Sequence, residues 1–444
     1  MNPLFYFLIA LIPFSIRYVF SSTWNFKTGA YSDFTSLSLY ISDIVLVALL
    51  FIASWCFMWN YISTRRVNQS STTNAISRPL KIWLGLAVVI VGWLALELLI
   101  QSKETLSLQA YFSLRVILLI GLALAVTRIS VSREKLAWIF SILGGIQSLI
   151  AIFQFYYQKS IGLYLLGESH LSPETLGVAK IVSHGTKLIR SYGTFPHSNL
   201  LSAFLVCATI LNLYLLIKKP QTSRGIWVYV LLLLNIFGLF LTFSRGGILA
   251  LGIGMFAVLS VLLINKRFSD IAKLFIPVSL IIAGSILILS PYLSTRTTIS
   301  DSAVKERLFY NDLGKKIVAD KPVFGLGFGI SVLHMKHYSG LDLEPWEIQP
   351  IHNYYLISWA EWGIGAIPLL TLIILPIFAL IKRKIEDWQL ILLSIGVAFL
   401  VLFLFDHYFY TIWPTQLLLW IIVGLCLKEA ISNNEATYDN SSQG

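Results

Sequence analysis

The chain has 444 residues, of which 57% are hydrophobic types and 12% are charged. A soluble domain carries about 25% charged residues, so this composition, with a mean hydropathy of +0.76, excludes a soluble enzyme, a disordered tail and a nucleic-acid binder. The formal net charge is +11, and the basic residues fall mostly between apolar runs, where they orient a chain in a bilayer.

A hydrocarbon core of about 30 Å needs about 20 mostly apolar residues per helix. Such runs predict about twelve spans, near 4–20, 40–59, 81–100, 109–127, 136–157, 198–217, 227–243, 246–264, 274–290, 353–381, 389–406 and 411–427. The split between the seventh and eighth rests on a turn of two or three residues. The first run lacks a basic leader segment, and more spans follow it, so it reads as an uncleaved first helix.

Basic residues mark alternate connections. They are Arg65, Arg66, Arg78 and Lys81; Arg128, Arg133 and Lys135; Lys218, Lys219 and Arg224; Lys266, Arg267 and Lys273; and Lys382, Arg383 and Lys384. Positive charge is retained on the cytoplasmic side. Both termini are therefore expected inside, with the odd-numbered connections facing out. Cys56, Cys207 and Cys426 all fall in apolar runs, which predicts no disulfide framework.

Residues 68–77 read as a flexible loop and 433–444 as a frayed tail. Two outward segments are long enough to hold structure. In 158–197, Ser172-Pro173-Glu174 reads as a helix start. In 291–352, Val304, Leu308, Leu313 and Ile317 recur at helical spacing, predicting an amphipathic helix near 303–319. Gly325-x-Gly327-x-Gly329 has no buried strand before it, so a tight turn is expected there, not a nucleotide loop.

Some charges break the expected pattern. All seven histidines map to the outer side, and so do Arg17, Arg115, Arg190 and Arg245. Ionisable groups at membrane depth mark a partner or a pathway, and converging cations imply an anionic ligand. Arg17 and Arg115 have a plainer alternative, snorkelling or pairing with Glu97 or Glu361. Glu361 itself reads as one half of a structural ion pair. His334-x-x-His337 has one metal-ligand spacing but lacks further ligands, so no metal site is expected. Gly246, Ala250 and Gly254, four apart, suit close helix packing.

Three stretches lie at outer helix ends: Arg190-Ser-Tyr-Gly-Thr-Phe-Pro-His-Ser-Asn199, Leu241-Thr-Phe-Ser-Arg245-Gly-Gly247, and His352-Asn353 followed by Gly363. Fixed arginines bind a diphosphate bidentately, and a histidine suits removal of a hydroxyl proton at neutral pH. Each stretch also has a local alternative: Asn199, Ser244 and Asn353 could cap helices, and Arg245 could contact headgroups.

Their order, with Arg307 and the Asp320-Lys-Pro-Val-Phe-Gly325-Leu-Gly327 stretch, resembles the O-antigen ligase and O-antigen polymerase superfamily of bacterial membrane glycosyltransferases. One departure is that the glycine-containing pattern after the histidine usually ends in a small or hydroxyl residue, and here Ala366 follows Gly363-Ile-Gly365. The resemblance covers most of the chain and implies a single all-α, polytopic membrane domain, a GT-C-like bundle with a large outward loop. It implies a glycan donor on a polyprenyl diphosphate and a hydroxyl acceptor: lipid A core, glycan or protein. It also implies a bacterial plasma membrane location, with the site facing out. His352 is then the base, and Arg190 and Arg245 hold the diphosphate. Arg307, Asn353, Arg115 and Arg17 support them, with no metal or other cofactor. The competing readings are a small-anion transporter and a non-catalytic scaffold.

Overall fold

Apolar runs long enough to cross a bilayer satisfy their backbone groups internally only as helices, and helices account for nearly all of the architecture. The computed structural model describes residues 1–67, 77–100, 102–218, 222–293, 302–381 and 385–441. The expected loop at 68–76 and the basic residues Lys219, Lys382, Arg383 and Lys384 lie outside them.

In chain order, α1 (Asn2–Leu11) leads into a small hairpin of β1 (Arg17–Val19) and β2 (Ser38–Tyr40), antiparallel with Arg17 opposite Tyr40. Four long helices follow: α2 (Ile41–Val67), α3 (Arg78–Ile100), α4 (Leu106–Arg128) and α5 (Arg133–Tyr157). A second hairpin, β3 (Lys180–Ser183) with β4 (Thr186–Ile189), precedes α6 (Ser198–Ile217), α7 (Thr222–Leu241), α8 (Arg245–Ile264) and α9 (Phe268–Leu293). Then come α10 (Ser302–Asp320), the short α11 (Met335–Ser339), α12 (Tyr354–Trp362) and α13 (Ala366–Phe378). The chain closes with α14 (Asp387–Phe403), one turn of α15 (Tyr408–Thr411) and α16 (Trp413–Ser441).

Among the described residues, nine helices are long and apolar enough to cross a membrane, and α12 and α13 together form one of them. Three shorter apolar helices, Asn2–Leu11, Gly225–Leu241 and Asp387–Phe403, fall where further spans were expected. The first expected span is cut short: α1 ends at Leu11, and Pro13 has no backbone N–H with which to continue the helical ladder. Arg17 therefore sits on a strand instead of a helix end.

Ser172-Pro173-Glu174 starts no helix. The Ser172 hydroxyl accepts from the backbone N–H of Thr175 (3.2 Å) and forms a local turn, a competition with helix that serine commonly wins. The helix expected near 303–319 is present as α10, with Leu313 and Ile317 buried and Leu308 exposed. The segment expected to fray stays helical to Ser441.

Helix α6 lies at the centre, fully enclosed along its span, with α5, α7, α8 and α14 packed around it. The small residues on α8 allow this closeness. A Cβ on Gly254 would lie 2.9 Å from Ile210 on α6 and 3.2 Å from the Ser394 carbonyl on α14. At one end of the bundle, ion pairs fasten the helix termini: Arg133 to Glu429 (3.0 Å), Arg267 to Asp387 (2.6 Å) and Lys218 to Asp387 (3.4 Å). At the opposite end, the starts of α6, α8 and α12 meet the end of α14 under α10.

Candidate active site

The buried segment before α6 is fixed to α5 by side-chain hydrogen bonds. Gln154 Oε1 accepts from the backbone N–H of Tyr192 (2.9 Å) and Gly193 (2.8 Å), while its Nε2 donates to the Gly193 carbonyl (2.8 Å) and Glu168 (2.9 Å). Seven residues earlier on the same face, Gln147 accepts from Thr194 N–H (2.9 Å). Gly193 has φ +61°, which glycine adopts without strain. Both glutamines are fully buried, so each bond is made in a low-dielectric setting.

This segment delivers Arg190, which is buried. Its Nε donates to the Thr242 carbonyl in the α7–α8 turn (2.6 Å), and its Nη2 donates to Asn199 Oδ1 (2.5 Å). The turn spans residues 242–244, with Phe243 at φ +47°. Ser244 caps α8 by accepting from Gly247 N–H (3.2 Å). Arg245 then stands exposed on the first turn. Asn199 does not cap α6. That place belongs to His197, whose Nδ1 accepts from Asn199 N–H (3.1 Å).

Asp406, just past α14, collects these elements. Its Oδ2 accepts from Asn199 Nδ2 (2.7 Å), and Arg307 of α10 approaches to 3.9 Å. His352 precedes α12, which Asn353 caps by accepting from Leu356 N–H (3.0 Å). The His352 ring stacks on Tyr310 of α10 (5.5 Å between centroids) and meets His407 edge-on (5.0 Å). Its Nδ1 is buried and has no hydrogen-bond partner among the described residues.

One cavity of about 400 Å³ brings Arg190, Arg245, Arg307, Asn199, His352 and Asp406 to a common surface. Its remaining wall is largely apolar, including the exposed Leu249, Leu308, Leu404 and Phe405. That volume falls in the range of about 300–1,000 Å³ usual for small-molecule sites. Three guanidinium groups against one carboxylate leave an excess of positive charge, which favours an anion.

The structure thus groups Arg190, Arg245, Arg307 and His352, with Asn353 as a helix cap beside them. Arg17 and Arg115 do not line this cavity. Arg17 pairs with Asp33 (2.6 Å), and Arg115 with Asp43 (3.1 Å) while lying over the Trp413 ring (4.2 Å). Their partners are therefore not Glu97 or Glu361. Glu361 accepts hydrogen bonds from two backbone N–H groups and a tyrosine, so the expected ion pair is replaced by neutral donors.

Sequence reading left Asp406 and His407 unassigned. Their signal was an ionisable pair at the end of an apolar run, but their role depends on packing between α6, α10 and α14.

Burial dominates the histidines. It depresses His352 below its ordinary value, and the nearby Asp406 only partly offsets this. Burial likewise pushes His197 and His407 down to about 3. For Asp406, burial alone would raise the carboxyl, and the neighbouring charges, Arg307 among them, bring it below its ordinary value. The site at neutral pH thus contains an anionic aspartate, neutral imidazoles and cationic arginines.

The donor atoms of His352, Asp406 and His407 lie within 4.8 Å of one another, the one grouping among the described residues with metal-ligand chemistry. Its fit to a cation is poor, because the Arg307 guanidinium already approaches the only carboxylate.

The fold is all-helical, with nine helices among the described residues long and apolar enough to cross a membrane, and the arginine-lined cavity lies at one end of the bundle. Residues 229–371, from within α7 to within α13, match the family model described as O-Antigen ligase, which supports the likeness to the O-antigen ligase/polymerase superfamily. No curated protein matches the chain. The matched stretch includes Arg245, Arg307 and His352, whereas Arg190, Asn199 and Asp406 lie outside it.

Two outcomes follow. Gln154→Leu leaves at least two buried backbone N–H groups unpaired, each worth about 1–3 kcal/mol. It is expected to lower the thermal unfolding temperature of purified protein, and an unchanged value would contradict the anchoring role. The depressed histidines make the fold hold neutral imidazoles, while the unfolded chain protonates near 6.5. Stability is then full above that value and falls as pH drops through it. Unfolding temperature should decline from about pH 7.5 to about pH 5, and less steeply in His407→Gln; equal slopes would refute the assignment.

Proposed function

We propose that the protein is a membrane glycosyltransferase of O-antigen ligase type. It transfers a glycan from a polyprenyl diphosphate carrier to an acceptor hydroxyl at the outer face of the bacterial plasma membrane, in surface polysaccharide or lipopolysaccharide biosynthesis. The observation that carries the reading is a single cavity holding Arg190, Arg245 and Arg307 beside the unpartnered Nδ1 of His352. Sidedness follows from the basic connections at the other end of the bundle, which the positive-inside rule assigns to the cytoplasm.

In this reading, the carrier enters sideways past Leu249, Leu404 and Phe405, and its diphosphate meets the arginines. The acceptor oxygen attacks the anomeric carbon as the carbon–oxygen bond to phosphate breaks. His352 takes the hydroxyl proton, and the departing diphosphate keeps the bonding electrons. Charge grows on that leaving group in the transition state, where fixed guanidinium groups stabilise it most. Direct attack inverts the anomeric configuration. The arginines supply the charge that a divalent cation would otherwise provide, so the reaction proceeds without metal.

The test uses purified protein in lipid with a labelled polyprenyl-diphosphate glycan and lipid A core, glycan or protein acceptors, with EDTA present. His352→Ala should lower transfer about 10²–10⁴-fold. Arg190→Lys and Arg245→Ala should each lower it about 10²-fold or more, with unfolding temperatures close to wild type. The product distinguishes ligase from polymerase and from protein oligosaccharyltransferase. Full activity in His352→Ala would remove the base assignment. Absent transfer with anion flux in liposomes would move the reading to a transporter.

A further inference from the structure

Beyond the cavity, a second buried side chain that gathers several hydrogen bonds is Glu361, in the last turn of α12. Gly329 N–H donates to its Oε2 (2.7 Å), Ser331 N–H to its Oε1 (3.0 Å), and the Tyr410 hydroxyl to its Oε2 (2.6 Å). Its own carbonyl accepts from Gly327 N–H (2.9 Å), and the Ala360 carbonyl accepts from Leu326 N–H (2.9 Å). A Cβ on Gly325, at φ +63°, would collide with the Glu361 backbone, so only glycine allows this approach.

The carboxylate joins its own helix α12 to two further segments, each continuous with an element that lines the cavity. Helix α12 carries His352 just ahead of its first turn, and Glu361 closes its last. Gly329 and Ser331 belong to the connection that follows α10, the helix bearing Arg307. Tyr410 lies on α15, four residues past Asp406, where Trp362 Nε1 also donates to its hydroxyl (2.9 Å). The Tyr410 ring meets Tyr354, two residues past His352, at right angles (5.4 Å).

A buried carboxylate accepting several short hydrogen bonds is a strong, directional tie. Glu361 lies nine residues beyond His352, about 13 Å along a helix, too far to touch the reacting atoms.

We infer that Glu361 is a positioning residue. Its carboxylate fastens the glycine turn after α10 and the Asp406–Thr411 segment to α12, and so fixes Arg307 and Asp406 relative to His352. This rests on the glycan-transfer reading for its effect on rate, but not for the coupling itself. Loosening the tie misplaces Arg307, Asp406 and His352 relative to one another, and a displacement of about 1 Å can cost about 10²-fold in rate.

Hydrogen exchange and steady-state transfer, measured on the full-length protein in lipid for wild type, Glu361→Gln and Tyr410→Phe, test it. The glutamine cannot accept at both oxygen positions, and the phenylalanine removes only the hydroxyl. In Glu361→Gln, the amides of Gly329 and Ser331 and those of residues 406–411 should all exchange at least about 10-fold faster. In Tyr410→Phe, residues 406–411 should loosen. In both, kcat should fall about 10–10²-fold, with the donor KM within about 3-fold. Faster exchange confined to Gly329 and Ser331, or wild-type kcat in Tyr410→Phe, would overturn the inference. Absence of transfer by wild type would overturn the glycan-transfer reading instead, and the exchange data would still decide the coupling.

Discussion

Asp406 places a buried negative charge where four elements meet, and much of this end of the bundle is arranged around it. It receives the Asn199 amide (2.7 Å), and through Asn199 it steadies Arg190. It draws Arg307 of α10 to 3.9 Å. Its N-terminal neighbours end α14, and the following residues form the single turn of α15. A lone buried carboxylate is costly unless paired, so its presence requires the cations around it. Those cations outnumber it, and the surplus positive charge faces the cavity.

The arrangement separates holding from reacting. Gln147 and Gln154 on α5 hold the segment that presents Arg190, Ser244 caps the helix that presents Arg245, and Asn353 caps the helix behind His352. Each of these spends its polar atoms on backbone groups. Burial, in turn, keeps the His352 imidazole neutral, the state in which it can accept a proton. Apolar residues on the cavity's open side suit a lipid tail, while the guanidinium groups suit its charged head. In the proposed reading, this combination lets one site take both parts of a lipid-linked donor.

Much of the helical framework was legible in the sequence, because bilayer thickness imposes a simple length and composition rule. His352, Arg190 and Arg245 were legible as residues at helix ends facing one side and Arg307 as part of the outward-loop pattern, and the structure gathers them in one cavity. What escaped depended on contacts between distant segments. Arg115 finds Asp43, 72 positions away, and that pairing has no local signature. The first run looked long enough to span, yet Pro13 stops its helix and a hairpin begins at Arg17. Ser172-Pro173 offered a helix start, but the serine hydroxyl closed a turn. Glu361 appeared as half of an ion pair, because sequence alone does not show that backbone N–H groups of a glycine turn will reach it.

The central claim is geometric: the diphosphate of a lipid carrier is held by arginines within reach of the His352 imidazole. An experimental structure in lipid with farnesyl diphosphate bound tests it most directly. The account expects the diphosphate in the cavity, touching Arg190, Arg245 and Arg307, with the prenyl chain leaving past Leu249 and Phe405 and with Nδ1 of His352 facing the phosphate-linked carbon. A diphosphate seated elsewhere, or a His352 ring turned away from a ligand held by the arginines, would contradict it.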